Sequence, residues 1–137
     1  MRTRLAVLVG AASLIMTMPV RAHHSFAAEY DADKPVELKG VITKWEWVNP
    51  HSHVYIDVKD ANGEVINWSV ELLSPNTLTR AGWNRHTLKE GDVITVKGSR
   101  AKDGSHLANA TTVLLANGKA VFDRSQVGPD ADGERRR

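Results

Sequence analysis

The chain has 137 residues, with 18 Lys+Arg against 16 Asp+Glu, 42% hydrophobic residues and no Cys. The missing Cys excludes disulfides, a thiolate metal site, a cysteine nucleophile and a lipid attached through sulfur. Three of the 18 bases (Arg2, Arg4 and Arg21) precede residue 23 and no acid does, so the remainder carries 15 bases against 16 acids and lacks the basic excess of a nucleic-acid binder.

Residues 1–22 read as a signal peptide. Arg2 and Arg4 form a positive start, Leu5–Met18 is an apolar run of 14 residues, and Pro19-Val20-Arg21-Ala22 ends in small residues. A membrane-spanning helix needs about 20 apolar residues, so this run is too short to stay in a bilayer and is expected to be cleaved after Ala22. No other long apolar run follows, which predicts a periplasmic or secreted mature chain without a transmembrane segment. The 115 residues left fit one domain with one modest core.

Residues 23–35 are polar and mixed and read as an extended N-terminal arm. From Val36 the texture becomes strand-like. Val36–Val48 is rich in β-branched and aromatic residues, with Gly40 marking a bend or bulge, and Asn49-Pro50 interrupts it. His53–Lys59 alternates, with Val54, Ile56 and Val58 on one face and His53, Tyr55 and Asp57 on the other. Asp60-Ala61-Asn62-Gly63 is a hairpin turn. Glu64–Leu72 alternates again, with Ile66, Trp68, Val70 and Leu72 together. Ser74 and Pro75 are helix-start signals, predicting a short helix over Pro75–Ala81 that Gly82 stops. Strands are predicted at Val93–Ser99 and Leu107–Leu115, separated by the turn Lys102–Ser105, and Asn117-Gly118 can lead into a short strand Lys119–Phe122. Residues 123–137 have the composition of a disordered tail.

Three strands, a short helix and two strands is the order of the OB-fold. The expectation is therefore a mostly β protein, a small five-stranded Greek-key barrel over residues 36–122 with its helix between strands three and four. A small β-sandwich would need more strands.

The histidines carry the sharpest chemical signal. Cleavage after Ala22 makes His23 the N-terminus, and its α-amine and ring nitrogen can close a chelate on a metal. His24 adds an imidazole at once, and His51 and His53 form a second pair in Asn49-Pro50-His51-Ser52-His53. Such nitrogen donors suit copper most strongly, with zinc and nickel as alternatives. Position three of the mature chain is Ser25, so the copper motif that uses a third-position histidine is absent. If the strand begins by His51, His51 and His53 share a face about 6.5–7 Å apart, with Tyr55 or Asp57 as a third donor. The plainer alternative leaves His23 and His24 in solvent and gives His51 a turn-capping role. His86 and His106 fall in loops and receive no role.

Four tryptophans (Trp45, Trp47, Trp68 and Trp83) are many for this length. They read as core filler rather than a stacking platform for bases or sugars. Ser52 lacks the Gly-x-Ser-x-Gly setting of a nucleophile. Glu46, Asp57 and Glu71 stand at alternating strand positions that usually form a solvated face. No glycine-rich phosphate loop is present, and no catalytic residue is assigned.

Several separated motifs resemble one family: His23-His24-Ser25-Phe26, Tyr30-Asp31, Leu38-Lys39-Gly40-Val41, Trp47-Val48-Asn49-Pro50-His51, Gly82-Trp83 and Leu88-Lys89-Glu90-Gly91-Asp92. The family is a group of small exported bacterial proteins known only as a domain of unknown function, DUF6152, and the likeness runs from about Ala22 to Leu115. The resemblance implies a periplasmic single domain and supplies no activity. The strand order also looks like that of bacterial OB-fold proteins of the cell envelope.

Together these readings predict an exported OB-like protein that binds a transition metal through His23, His24, His51 and His53. It would act as a carrier, chaperone or accessory subunit, with another envelope protein as a further partner. The rival from another class is a metal-free envelope module that binds a peptide, glycan or partner protein. A third is a copper-dependent oxidoreductase.

Overall fold

The computed structural model describes residues 26–127. The expected signal peptide, His23, His24 and the tail beyond Val127 lie outside the described residues. The elements are α1 (Phe26–Glu29), β1 (Tyr30–Glu46), β2 (His53–Lys59), β3 (Val65–Glu71), α2 (Pro75–Arg80), β4 (Val93–Ala101), β5 (Leu107–Leu115), β6 (Ala120–Asp123) and a 3-10 turn, Arg124–Gln126.

The strands pair in the order β3-β2-β1-β4-β5-β6, and β3 also pairs β5 in parallel, Ser69–Glu71 against Leu107–Asn109. That last pairing closes β1, β2, β3, β5 and β4 into a ring, an OB-like barrel with α2 between β3 and β4. The short β6 extends the sheet beside β5. Closure removes the open edges that a five-stranded sheet would otherwise expose.

Strand alternation places the core. Val54 and Ile56 of β2, Trp68 and Val70 of β3, and Ile94 and Val96 of β4 all point inward and are buried. Asp60 Oδ1 accepts from the backbone N–H groups of Asn62 and Glu64 at 2.8 and 2.9 Å, which sets the β2–β3 turn. Ser74 caps α2 by accepting from Thr77 N, and Pro75 opens the helix as expected. The helix ends at Arg80 with Ala81 as its C-cap, and Leu78 seals its buried face.

Trp68 and Trp83 belong to the core, and Trp45 and Trp47 pack partly buried against it. The Trp83 indole N–H donates to the Val121 carbonyl at 2.8 Å, tying α2's exit to β6. Gly40 has a different reason from the one expected. The register break in β1 falls between Ile42 and Lys44, while a Cβ at Gly40 would sit 2.5 Å from the Asp57 carbonyl oxygen. Its task is the close approach of β1 to β2.

Both ends of the barrel domain differ from expectation. The first strand starts at Tyr30 rather than Val36, because Tyr30 and Asp31 pair with Ala101 and Arg100 of β4 and the Tyr30 ring is buried. Residues Phe26–Glu29 form one helical turn instead of an extended arm. At the other end Asp123 caps the 3-10 turn, and Arg124 donates from Nε to the Ala110 carbonyl at 3.1 Å. The order of the chain thus continues past residue 122 because this guanidinium holds the turn on β5. Among the described residues no helix is long and apolar enough to cross a membrane.

Candidate functional site

The most concentrated polar chemistry lies on the outside of the barrel, around Glu71. The β2–β3 register puts His53 opposite Glu71, and the β3–β5 register puts Glu71 opposite Asn109. Inward alternation of Val54 and Val70 turns His53 and Glu71 outward. His51 joins them because Ser52 continues the ladder beyond the strand: Ser52 N donates to the Leu73 carbonyl and Leu72 N to the Ser52 carbonyl. Ser52 therefore points inward and is fully buried, and His51 stands on the outward side. The Asn49–Pro50 bond just before it is cis.

Glu71 is 9% exposed although it faces outward. Tyr30 donates its hydroxyl to Glu71 Oε2 at 2.5 Å. His51 Nδ1 lies 2.8 Å from Glu71 Oε1, and His53 Nε2 lies 3.9 Å from Oε2. Asn109 Nδ2 donates to Oε1 at 3.4 Å, while its Oδ1 accepts from Arg124 at 2.8 Å. The carboxylate thus gathers donors from β1, from the segment before β2 and from β5, and the C-terminal turn orients one of them.

Burial pushes the Glu71 carboxyl upward, but the hydrogen bonds from His51 and Tyr30 and the charges of the two rings outweigh it and hold it below its usual value. Burial first, then the hydrogen bond to Glu71 and the charges of Glu71 and Glu29, push the Tyr30 phenol far above its usual range. Tyr30 stays a neutral donor as a result.

Of the residues expected to bind metal, the structure brings His51 and His53 to one carboxylate. Tyr55 and Asp57 do not join them. Tyr55 donates to Glu46 at 3.0 Å, and Asp57 accepts from Asn67 at 2.8 Å. The solvated-face reading holds for Asp57 and is corrected for Glu71, which Tyr30 and its neighbours cover. His86 is exposed and His106 stacks edge-on against Trp68 at 5.1 Å, away from Glu71. Among the described residues no three His, Asp or Glu side chains are gathered as a metal-holding group.

The family model of DUF6152, a family of unknown function, matches residues 12–110. The chain belongs to this family. The span that matches DUF6152 takes in Tyr30, His51, His53, Glu71 and Asn109 and stops short of Arg124. No curated protein matches the sequence. Among solved structures, the chain is similar to the mitochondrial single-stranded DNA binding protein Rim1 of S. cerevisiae, at 8% identity and a TM-score of 0.46, over 66% of this chain and 95% of that one. It is also similar to TiaS in its complex with a tRNA and ATP, at 19% identity and a TM-score of 0.39, over 59% of this chain and 18% of that one. At these scores neither likeness bears on what this DUF6152 member does.

The four residues that sequence reasoning passed over as functional are Tyr30, Glu71, Asn109 and Arg124. For Glu71 a signal existed. The Asp60–Gly63 turn sets Lys59 against Val65, and stepping outward along that hairpin sets His53 against Glu71. Tyr30, Asn109 and Arg124 arrive through long-range pairing, which no local pattern carries.

Proposed function

We propose that the protein is exported and binds a transition metal, copper first and zinc or nickel as alternatives, as a carrier, chaperone or accessory subunit. His51 and His53 supply imidazoles from the barrel. His23, with its α-amine and ring, and His24 complete the donor set from the chain end that cleavage after Ala22 creates.

The observation that carries this reading is where the N-terminal segment docks. Phe26 stacks on Tyr30 with ring centroids 5.6 Å apart, and Tyr30 shares Glu71 with His51. His24 is two residues before Phe26, and two residues of chain reach about 7 Å at most. In this reading the two histidine pairs, with 26 residues of sequence between His24 and His51, contribute to one site. Four imidazoles and an amine form a nitrogen-rich set of the kind copper(II) prefers.

Copper(II) binding measured by equilibrium dialysis tests the reading. His51→Ala and His53→Ala should each weaken binding at least tenfold, whereas His86→Ala should leave it unchanged. Equal, weak losses from all three would mean adventitious binding and would favour a metal-free envelope module.

A further inference from the structure

We infer that Asn117, in the turn between β5 and β6, is a site of spontaneous conversion to isoaspartate, and that it reacts ahead of the chain's other Asn-Gly pair, Asn62-Gly63. The inference does not rest on the metal reading.

Three turns of the barrel share one backbone. In each, a glycine of positive φ follows an Asn or Asp: Gly63 at 84°, Gly104 at 80° and Gly118 at 82°. Each glycine N–H donates to the carbonyl three residues back, of Asp60 at 3.1 Å, Ala101 at 3.2 Å and Leu115 at 2.9 Å. In two of the turns the match goes further, because Asp60 N donates to the Glu64 carbonyl and Leu115 N to the Lys119 carbonyl, both at 2.9 Å. The residues before the glycines, Asn62, Asp103 and Asn117, are all exposed. Glycine has no Cβ to shield its nitrogen from the side chain that precedes it.

What differs is the destination of the N–H that follows the glycine. In the β5–β6 turn Lys119 N donates to Asn117 Oδ1 at 3.0 Å. The ring closed by this bond contains both the Asn117 Cγ and the Gly118 nitrogen, and so keeps the two reacting atoms near each other. Its donor also points at the oxygen on which negative charge collects when the nitrogen attacks Cγ. In the β2–β3 turn the matching N–H, of Glu64, goes to Asp60 Oδ1 at 2.9 Å, and the same oxygen accepts from Asn62 N at 2.8 Å. Asp60 thus takes the donor that Asn62 would need. Its carboxylate also opposes a negatively charged intermediate, whereas Lys119 brings a cation beside Asn117. Asp103 has the Asn117 arrangement, with Ser105 N donating to its Oδ1 at 2.9 Å. The hydrogen bonds from Ser105, side chain first and then backbone, hold the Asp103 carboxyl below its usual value, and an ionised carboxylate is a poor electrophile.

The reaction needs only water as a co-reactant. The Gly118 nitrogen bonds to Asn117 Cγ, the Cγ–Nδ2 bond breaks, and ammonia leaves with the Gly118 amide proton. Water then opens the cyclic imide. Addition at Cγ gives aspartate. Addition at the main-chain carbonyl carbon of residue 117 gives isoaspartate, with the main chain rerouted through Cγ and lengthened by a carbon. That lengthening falls just ahead of β6, whose Val121 carbonyl holds the Trp83 indole N–H at 2.8 Å.

The test ages the protein in mildly alkaline buffer, once folded and once in urea, and follows each site by peptide mass spectrometry with isoaspartyl methyltransferase labelling. In the folded protein Asn117 should convert about 3–10-fold faster than Asn62, the range expected of one exposed hydrogen bond. In urea, where the turns are lost, that preference should disappear. Asp103→Asn places an amide in the third turn with the Ser105 donor still available, and should create a second fast site. No conversion at Asn117 in the folded protein, equal rates at the two sites, a faster Asn62, or a preference that survives in urea overturns the inference. So does Asp103→Asn protein in which residue 103 stays unconverted while Asn117 reacts. The wild-type comparison alone decides if that variant does not fold.

Discussion

The β2–β3 hairpin carries two outward polar pairs that the same alternation produces, and they meet different fates. In one, Asn67 donates to Asp57 at 2.8 Å and to Thr43 at 3.1 Å, exposed to water. In the other, His53 faces Glu71, and the carboxylate is buried beneath Tyr30, His51, Asn109 and Arg124. Residue chemistry and register are much alike in the two. The difference is what lies above them, and it comes from the chain ends: β1 starting at Tyr30 on one side, Arg124 folding back on the other. Water competes for the first pair and makes it worth little, whereas the second would leave several donors unsatisfied if its acceptor were lost.

Removing each acceptor in turn should separate the two pairs most visibly. Glu71→Ala should cost about 2–3 kcal/mol, the loss expected for hydrogen bonds to a buried charged group. Asp57→Ala should fall within about 0.5 kcal/mol, as for other surface changes. Urea unfolding of both variants at neutral pH measures the two, and equal costs would erase the distinction between them.

Acid should widen the same difference. The folded protein holds the Glu71 proton less tightly than the unfolded chain, so protonation favours unfolding. The stability from Glu71 is fully present above the ordinary glutamate value of about 4.3 and is lost as pH falls below it. Wild type should lose more stability between neutral and acid pH than Glu71→Gln does, read from denaturant midpoints across that range.

A smaller effect comes from Tyr30→Phe, about 1.5 kcal/mol at neutral pH for one hydrogen bond to a charge. Because the folded phenol holds its proton more tightly than the unfolded one, its contribution is present below about pH 10 and is lost as pH rises. The wild-type protein should therefore weaken on the alkaline side more steeply than Tyr30→Phe. Parallel curves would show that the Tyr30 hydroxyl is not held as described.

How much of this was legible in the sequence follows from the range of each interaction. Alternation in β2 and β3, the Asp60–Gly63 turn and the Ser74–Pro75 helix start are local patterns, and the barrel order followed from them. Leu107–Leu115 matches its strand end to end. Gly40 stood out as a glycine in a strand, but only the approach of Asp57 explains it. The burial of Glu71 was not readable, because it depends on partners 41 and 38 residues away, Tyr30 and Asn109. A solvated strand face and a covered one have the same alternating text. The start of β1 was missed for a related reason: Tyr30 sits ahead of the polar stretch Asp31–Pro35, and its pairing with Ala101 overrides that composition.

Whether the chain end at His23 and the His51–His53 turn form one metal site is decided by a copper(II) titration, using calorimetry with electron paramagnetic resonance. Protein beginning at His23 is set beside protein that retains Ala22. A joint site gives tight one-to-one binding with a nitrogen-rich spectrum in the first. The second should lose that binding, because the α-amine of His23 is tied up in a peptide bond. Weak binding that is the same in both would rule the joint site out.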